Sequence, residues 1–111
     1  MCSDVIMSLL RKNRKFLQSL LRKANAKRRE VMLDRANKSQ INAISEMVLN
    51  VLKWNVPIKP RTLNLLKRYK TVLREIGSRR NSLKRRRAQL KSQKGGAFWN
   101  GLRQCYLVCS Y

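Results

Sequence analysis

The sequence contains no histidine, only five acidic residues and no long apolar run. Histidine is the usual general base of enzymes and a common metal ligand, so its absence removes both roles. The acids are scattered, and no two of them have the spacing of two-carboxylate or metal-assisted catalysis. No run approaches the roughly 20 apolar residues that a membrane-spanning helix needs. We therefore expect neither an enzyme nor a metal or cofactor site.

Cysteine and glycine are also scarce and form no recognisable motif. Cys2, Cys105 and Cys109 are odd in number and include no CxxC pair, which argues against a disulfide framework or a zinc finger. Free thiols of a reducing compartment are the simpler interpretation. The diglycine Gly95-Gly96 lacks the Lys and Ser or Thr that would follow it in a phosphate-binding loop, so we interpret it as a helix stop or joint.

What the sequence has in excess is positive charge. Against the five acids stand 15 Arg and 12 Lys in 111 residues, which gives a formal net charge of +22 and a pI near 11.5. A chain with this charge repels itself and needs a polyanionic partner to become compact at ordinary ionic strength. Nucleic acid is the first candidate, an anionic membrane surface the second and an acidic protein the third.

The charge is concentrated between Lys59 and Lys94, where fourteen basic residues stand against one acid, Glu75. Arg offers forked donors that match phosphate oxygens, and Lys offers a compact charge. Such contacts position a protein on nucleic acid without reading its sequence. The candidate nucleic-acid-binding residues are Lys67, Arg68, Lys70, Arg74, Arg79, Arg80, Lys84, Arg85, Arg86, Arg87, Lys91 and Lys94. Contacts from about eight of them would give a slope of log affinity against log salt near −7 on duplex DNA.

Composition divides the chain into three regions. Residues 1–38 are predicted to form a basic N-terminal helical arm, residues 39–94 a helical core with the basic block, and residues 95–111 a flexible tail rich in aromatic residues. The nearly neutral, apolar stretch 39–58 is the expected centre of the core, because it alone has a wide apolar face without many charges.

Apolar residues recur at helical spacing and no alternating strand pattern is present, so the predicted fold is all-α, a small bundle of four to five short helices. A helix weakened at Asn13 and a second over about 26–36 occupy the arm. The third is expected to begin at a Ser39 cap and to end at Asn55-Val56-Pro57, because proline cannot donate to the preceding turn.

The basic block is predicted to hold the last two helices. Pro60 starts one that Gly77 stops, since proline suits a first helical position and glycine a C-terminal cap. Ser82 caps the other, which has few apolar anchors and closes at the diglycine. We therefore expect this basic C-terminal part to be partly disordered until it meets its partner.

Three features admit more than one interpretation. Two helices joined by a turn at 55–59 resemble a helix-turn-helix, but the second offers mainly basic residues and few Asn or Gln for base edges, which disfavours a sequence-specific regulator. Trp54 is expected to pack in the core or a hinge more than on bases. Trp99 fits a disordered tail and a membrane or partner anchor equally well.

Several segments stand out together: Leu49-Asn50-Val51-Leu52-Lys53-Trp54-Asn55-Val56-Pro57, Leu66-Lys67-Arg68-Tyr69-Lys70 with Leu73-Arg74, Ser82-Leu83-Lys84-Arg85-Arg86 and Gln93-Lys94-Gly95-Gly96. They resemble small basic proteins encoded by Maverick or Polinton elements, the adintovirus group, which are compared with the adenovirus core proteins. The likeness covers the middle and C-terminal half and, more loosely, residues 20–43. Two departures are a tryptophan at position 54, where the family tends to have glycine, and an unrelated sequence after the diglycine.

The resemblance implies a non-enzymatic virion core or DNA-packaging protein that neutralises double-stranded DNA inside a capsid, located in the virion core or the host nucleus. Elements of this group also encode an adenovirus-like protease that favours diglycine sites with an aliphatic residue upstream. Gln93-Lys94-Gly95-Gly96 has the diglycine without the aliphatic residue. As a hypothesis, a viral protease acting near Gly96 would separate the basic body from the tail.

Charge pattern and resemblance together predict a protein that binds and condenses double-stranded DNA without sequence preference. RNA fits the same phosphate argument, since no reader of the 2′-hydroxyl is recognisable. The apolar helices would serve folding or self-association. A membrane-active basic capsid protein that binds anionic membrane is the alternative from another class, and a cellular chromatin or RNA-binding protein is the third.

Overall fold

Helices make up the part of the chain that the computed structural model describes, residues 4–22, 26–53 and 59–109. They are α1 (Asp4–Lys12), α2 (Arg14–Leu21), α3 (Ala26–Arg35), α4 (Lys38–Leu52), α5 (Pro60–Lys67), α6 (Lys70–Gly77), α7 (Leu83–Ser92) and α8 (Gly96–Cys109). The predicted all-α class is confirmed. The described residues form eight helices and not four to five, because two expected helices are divided and the expected tail is itself helical.

The first division falls at Asn13, the expected weak point. The buried Asn13 side chain donates from Nδ2 to the backbone oxygen of Leu9 at 3.0 Å and to Ser39 Oγ at 3.0 Å. A short amide side chain that bonds to nearby backbone competes with continuation of the helix. The break between α1 and α2 therefore also ties both helices to the start of α4.

The second division, at Arg68 and Tyr69, lies inside the single helix that was expected from Pro60 to Gly77. The backbone N–H of Tyr69 bonds to the carbonyl of Leu66 at 3.0 Å, a tighter turn than that of an α-helix. The change of direction lets α5 pack on α8 while α6 packs on α4 and α7. The Tyr69 ring meets Phe98 edge to face, with centroids 5.3 Å apart, so tertiary packing accompanies the break.

Helix α4 is the centre of the fold and packs against α1, α2, α6, α7 and α8. Its apolar residues, including Ile41, Met47 and Val48, are buried as its neutral composition predicts. The cap is Asn37 and not Ser39: Asn37 Oδ1 accepts the Gln40 N–H at 2.9 Å, and Gln40 Oε1 accepts the Asn37 N–H at 2.9 Å. The expected stop at Asn55-Val56-Pro57, like Trp54, lies outside the described residues.

The segment expected to be a flexible aromatic tail is different in the structure, since residues 96–109 form α8. Phe98, Trp99, Leu102 and Tyr106 are buried, and α8 packs against α2, α4 and α5. Aromatic side chains bury a large apolar area each, and the rest of the chain supplies few of them. The core of this small protein therefore depends on α8.

Trp99 is neither in a disordered tail nor exposed as an anchor. Its indole Nε1 donates to the backbone oxygen of Gln93 at 2.6 Å, which satisfies the one polar atom of the ring. The guanidinium carbon of Arg29 lies 5.1 Å from the ring centroid, a cation–π contact from α3. Trp99 thus joins α3, α7 and α8.

Helix α7 is ordered, in contrast to the disorder expected of the basic C-terminal part. Ser82 caps it as predicted, because its Oγ accepts the Arg85 N–H at 3.1 Å. Leu90 is fully buried and Arg86 is 4% exposed, so α7 has one apolar and one polar anchor in the core. Among the described cysteines, Cys105 lies buried on α8.

We expect Asn37→Ala to destabilise the protein by about 1 kcal/mol, because it removes the side-chain acceptor at the N-terminus of the central helix. The measurement is the free energy of unfolding in urea, followed by circular dichroism. Asn64→Ala is the matched control, since Asn64 is exposed inside α5 and alanine has the higher helix propensity. Equal stability of the two variants would contradict the role of the cap.

Candidate nucleic-acid interface

The fold divides the twelve predicted binding residues into two groups. Those of the first group form ion pairs or hydrogen bonds with other residues of the chain. Four of them form ion pairs: Arg79 with Glu46 at 2.5 Å, Arg85 with Glu75 at 3.4 Å, Lys91 with Asp34 at 2.5 Å and Lys94 with Glu30 at 3.5 Å. Every acid whose side chain is described therefore receives one basic residue from the segment 79–94. These pairs link this segment to α3, α4 and α6.

The four ion pairs are accessible to solvent. Their basic side chains keep between 32% and 67% of their exposure. Pairs of this kind contribute about 0–1 kcal/mol each, because water and salt screen them. A phosphate can therefore compete with the carboxylate, but each of these cations already has a partner and offers less to nucleic acid than an unpaired one.

Arg86 is not on the surface at all. Its Nη1 donates to Asn42 Oδ1 at 2.9 Å and to Ser45 Oγ at 2.8 Å, and its Nε donates to the backbone oxygen of Asn81 at 3.2 Å. Burial lowers the pKa of the guanidinium, the charge of Arg79 lowers it further, and the carboxylate of Glu46 opposes both. Arg86 is thus a structural residue that joins α7 to α4.

Arg87 is also partly withdrawn from the surface. Its Nη2 donates to the backbone oxygen of Ala36 at 2.7 Å. Ala36 is the residue that follows α3. Its Nε is buried and finds no hydrogen-bond partner among the described residues. The densest charge in the sequence is the run Lys84-Arg85-Arg86-Arg87, and the side chains of this run face different parts of the molecule. Only Lys84 of the four is both exposed and without a partner in the described structure.

The second group consists of exposed basic side chains that have no hydrogen bond or ion pair within the described residues: Lys67, Arg68, Lys70, Arg74, Arg80 and Lys84. Four of them lie on α5, α6 and the turn between these helices. Glu75, the one acid of α6, turns toward α7, where it binds Arg85 and Gln89. The surface of α5 and the start of α6 thus carries no acid.

Lys59 and Arg61 belong with this second group, although they are not among the twelve residues that the sequence predicts to bind nucleic acid. They line an open groove of about 630 Å³ between α5 and α8, together with Arg68. The polar side chains of this groove are Thr62, Asn64, Asn100 and Gln104. A signal for Arg61 was present in the sequence, because positions 61, 64 and 68 fall on one helical face. No sequence signal predicts the contribution of Asn100 and Gln104, because composition alone favours a flexible tail over residues 95–111.

Lys67, Lys70 and Arg74 are among the residues that line a second, mainly apolar pocket between α4, α5, α6 and α8. Six unpaired cations on α5, on α6, just before α5 and in the turn between the two helices therefore form two sets of three: one at the polar groove and one at the apolar pocket. We call the six together the α5–α6 basic surface: Lys59, Arg61, Lys67, Arg68, Lys70 and Arg74.

Comparisons with protein-family models, with curated proteins and with solved structures found no match for this chain. The described residues contain no group of three or more Cys, Asp or Glu placed to hold a metal ion. None of the described helices combines the length and the apolar character that crossing a bilayer requires. The α5–α6 basic surface is therefore the functional candidate that the largest number of side chains supports.

We expect Arg86→Ala to lower the free energy of unfolding by about 2–4 kcal/mol, because it leaves the buried oxygens of Asn42 and Ser45 without their donor. Lys84→Ala removes the same charge from an exposed position of the same helix, and its effect should stay within about 0.5 kcal/mol. Urea unfolding of both variants measures the difference. Similar losses in the two would show that net charge, and not the buried network, sets the stability.

Proposed function

We propose that this protein binds and condenses double-stranded DNA without sequence preference and without catalysis, and that the α5–α6 basic surface is the principal contact. The observation that supports this proposal is the grouping of six unpaired, exposed cations in a part of the surface that has no acid. Phosphate contacts need charge and reach more than they need a fixed geometry. Exposed Lys and Arg side chains provide both.

Two further residues extend this contact. Arg80, in the turn before α7, and Lys84, in its first turn, are exposed and unpaired within the described structure. With the six of the α5–α6 basic surface they make eight unpaired cations, and about eight phosphate contacts correspond to a salt slope near −7. Four more cations could contact phosphate if it displaced the carboxylates that now pair with them: Arg79, Arg85, Lys91 and Lys94.

The biological setting is proposed on the sequence resemblance alone. A virion core or DNA-packaging protein of a Maverick or Polinton-like element requires a small basic chain that neutralises a genome without reading it. The net charge of +22 suits this role, because a packaged duplex carries one negative charge per about 1.7 Å of its axis. Such a protein would be found in the virion core or the host nucleus.

The structure alters the proposal about proteolysis. Gly95 lies between α7 and α8, Gly96 is the first residue of α8, and both are exposed, so a viral protease would have access to this joint. Because Phe98, Trp99 and Leu102 are buried, cleavage there would nick the fold and not release a tail. We expect the two fragments to stay together in native solution and to separate only in denaturant, which size-exclusion chromatography before and after urea would measure.

We expect the full chain to bind random duplexes of equal length with indistinguishable affinity and a salt slope near −7, and to compact long DNA. The slope follows from about eight phosphate contacts. Fluorescence anisotropy across a salt series measures it, with single-stranded DNA, structured RNA and anionic vesicles as competitors. A shallow slope, or vesicles that win over duplex, would move the assignment to the membrane alternative.

The α5–α6 basic surface can be tested with two variants of equal charge. Changing Lys67, Arg68, Lys70 and Arg74 to Gln should reduce the salt slope by about 3 to 4, at about 0.9 per lost phosphate contact. Changing Arg11, Lys12, Arg14 and Lys15 to Gln removes four exposed charges from α1 and α2 and should change the slope much less. Equal reductions in both variants would show that DNA contacts the whole surface and that no principal interface exists.

A further inference from the structure

An apolar pocket opens between α4, α5, α6 and α8. Its volume is about 280 Å³, and its wall is formed by aliphatic side chains, among them Val48, Leu52, Leu63 and Leu73, together with Cys105. Protein interiors contain few voids larger than a water molecule. An apolar cavity of about 150 Å³ is already large enough to bind benzene. The pocket is thus large enough for a ligand, and its mainly aliphatic wall favours a hydrocarbon group over a hydrated ion.

Charged side chains also line this pocket. Lys67, Lys70 and Arg74 belong to its lining, are exposed and have no partner in the described structure, and no acid is among the lining residues. Three cations beside an apolar wall favour a ligand that carries both a hydrocarbon chain and a negative charge. A neutral ligand would leave the cations unused, and a free phosphate would leave the apolar wall empty.

We propose that this pocket binds a single-chain amphiphile with an anionic head group. The hydrocarbon chain lies among the aliphatic side chains, and the carboxylate or phosphate of the head group contacts Lys67, Lys70 and Arg74. Charge complementarity and the apolar wall carry this assignment together, since the groove between α5 and α8 has a similar number of cations but is lined mainly by polar residue types, with Leu65 as its one aliphatic residue. The proposal does not depend on DNA binding, because it rests on the pocket wall and its three cations alone.

The first experiment compares ligands that share one chain and differ in the head group. The full-length protein is titrated, below the micellar concentration, with dodecanoate, dodecyltrimethylammonium and dodecyl maltoside, and methyl NMR follows Leu63, Leu73 and Val48. We expect saturable binding of one dodecanoate, with shifts at these pocket methyls and at least about tenfold weaker binding of the other two. Equal binding of all three would overturn the proposal.

A second arm separates the sources of the head group. Lysophosphatidic acid presents a phosphate on a single chain, and inorganic phosphate presents it without a chain. If dodecanoate and lysophosphatidic acid both shift the pocket methyls, the site recognises an anionic head group of either kind. If one of them binds more tightly, the site prefers that head group, the carboxylate or the phosphate. Shifts of the same methyls with inorganic phosphate alone would overturn the requirement for a chain.

Three variants locate the site. Changing Lys67, Lys70 and Arg74 to Gln should remove the preference for the anionic ligand, a loss of about tenfold or more, and changing Arg11, Lys12 and Arg14 to Gln should keep it. Leu63→Trp fills the pocket and should abolish binding of one equivalent. If that variant does not fold, the two triple variants still decide. If both triple variants bound several equivalents of dodecanoate equally well, the binding would reflect general attraction to a cationic surface, and the proposed site would be overturned.

Discussion

Attaching a strongly basic segment to an apolar helical core is the constraint on which the rest of this fold depends. Residues 79–94 carry eight of the 27 basic residues, and four carboxylates on α3, α4 and α6 each receive one of them. Exposed pairs of this kind contribute little individually. Arg86 and Leu90 attach the segment more firmly, because both side chains are buried. Removing the Arg86 guanidinium would leave its three oxygen acceptors without a donor, which is costly inside a protein.

This attachment also decides which cations are left for a partner. Because the described acids are drawn toward α7, the surface of α5 and the start of α6 is without negative charge, and its Lys and Arg side chains stay unpaired. The location of the acids therefore shapes the candidate interface as much as the location of the bases does. The cations of this surface are therefore not neutralised by carboxylates of the described residues.

The break at Arg68 and Tyr69 gives this surface two sides. Helix α5 packs on α8 and forms a polar groove there, while the joint with α6 leaves an apolar pocket against α4. Both sites depend on α8, which supplies Asn100 and Gln104 to the groove and Cys105 to the pocket. The aromatic core residues of α8 hold these side chains in place, so the core and the two candidate sites are linked.

Sequence alone determined the features that depend on neighbouring residues: the helical class, the break at Asn13, the starts at Pro60 and Ser82 and the excess of positive charge. Tertiary structure alone decided that α8 belongs to the core, that Arg86 is buried and that six unpaired cations lie together on the α5–α6 basic surface. The physical reason is distance along the chain. Caps and helical periodicity act within one or two turns, whereas the ion pairs join residues 33 and 64 positions apart, which only packing brings together.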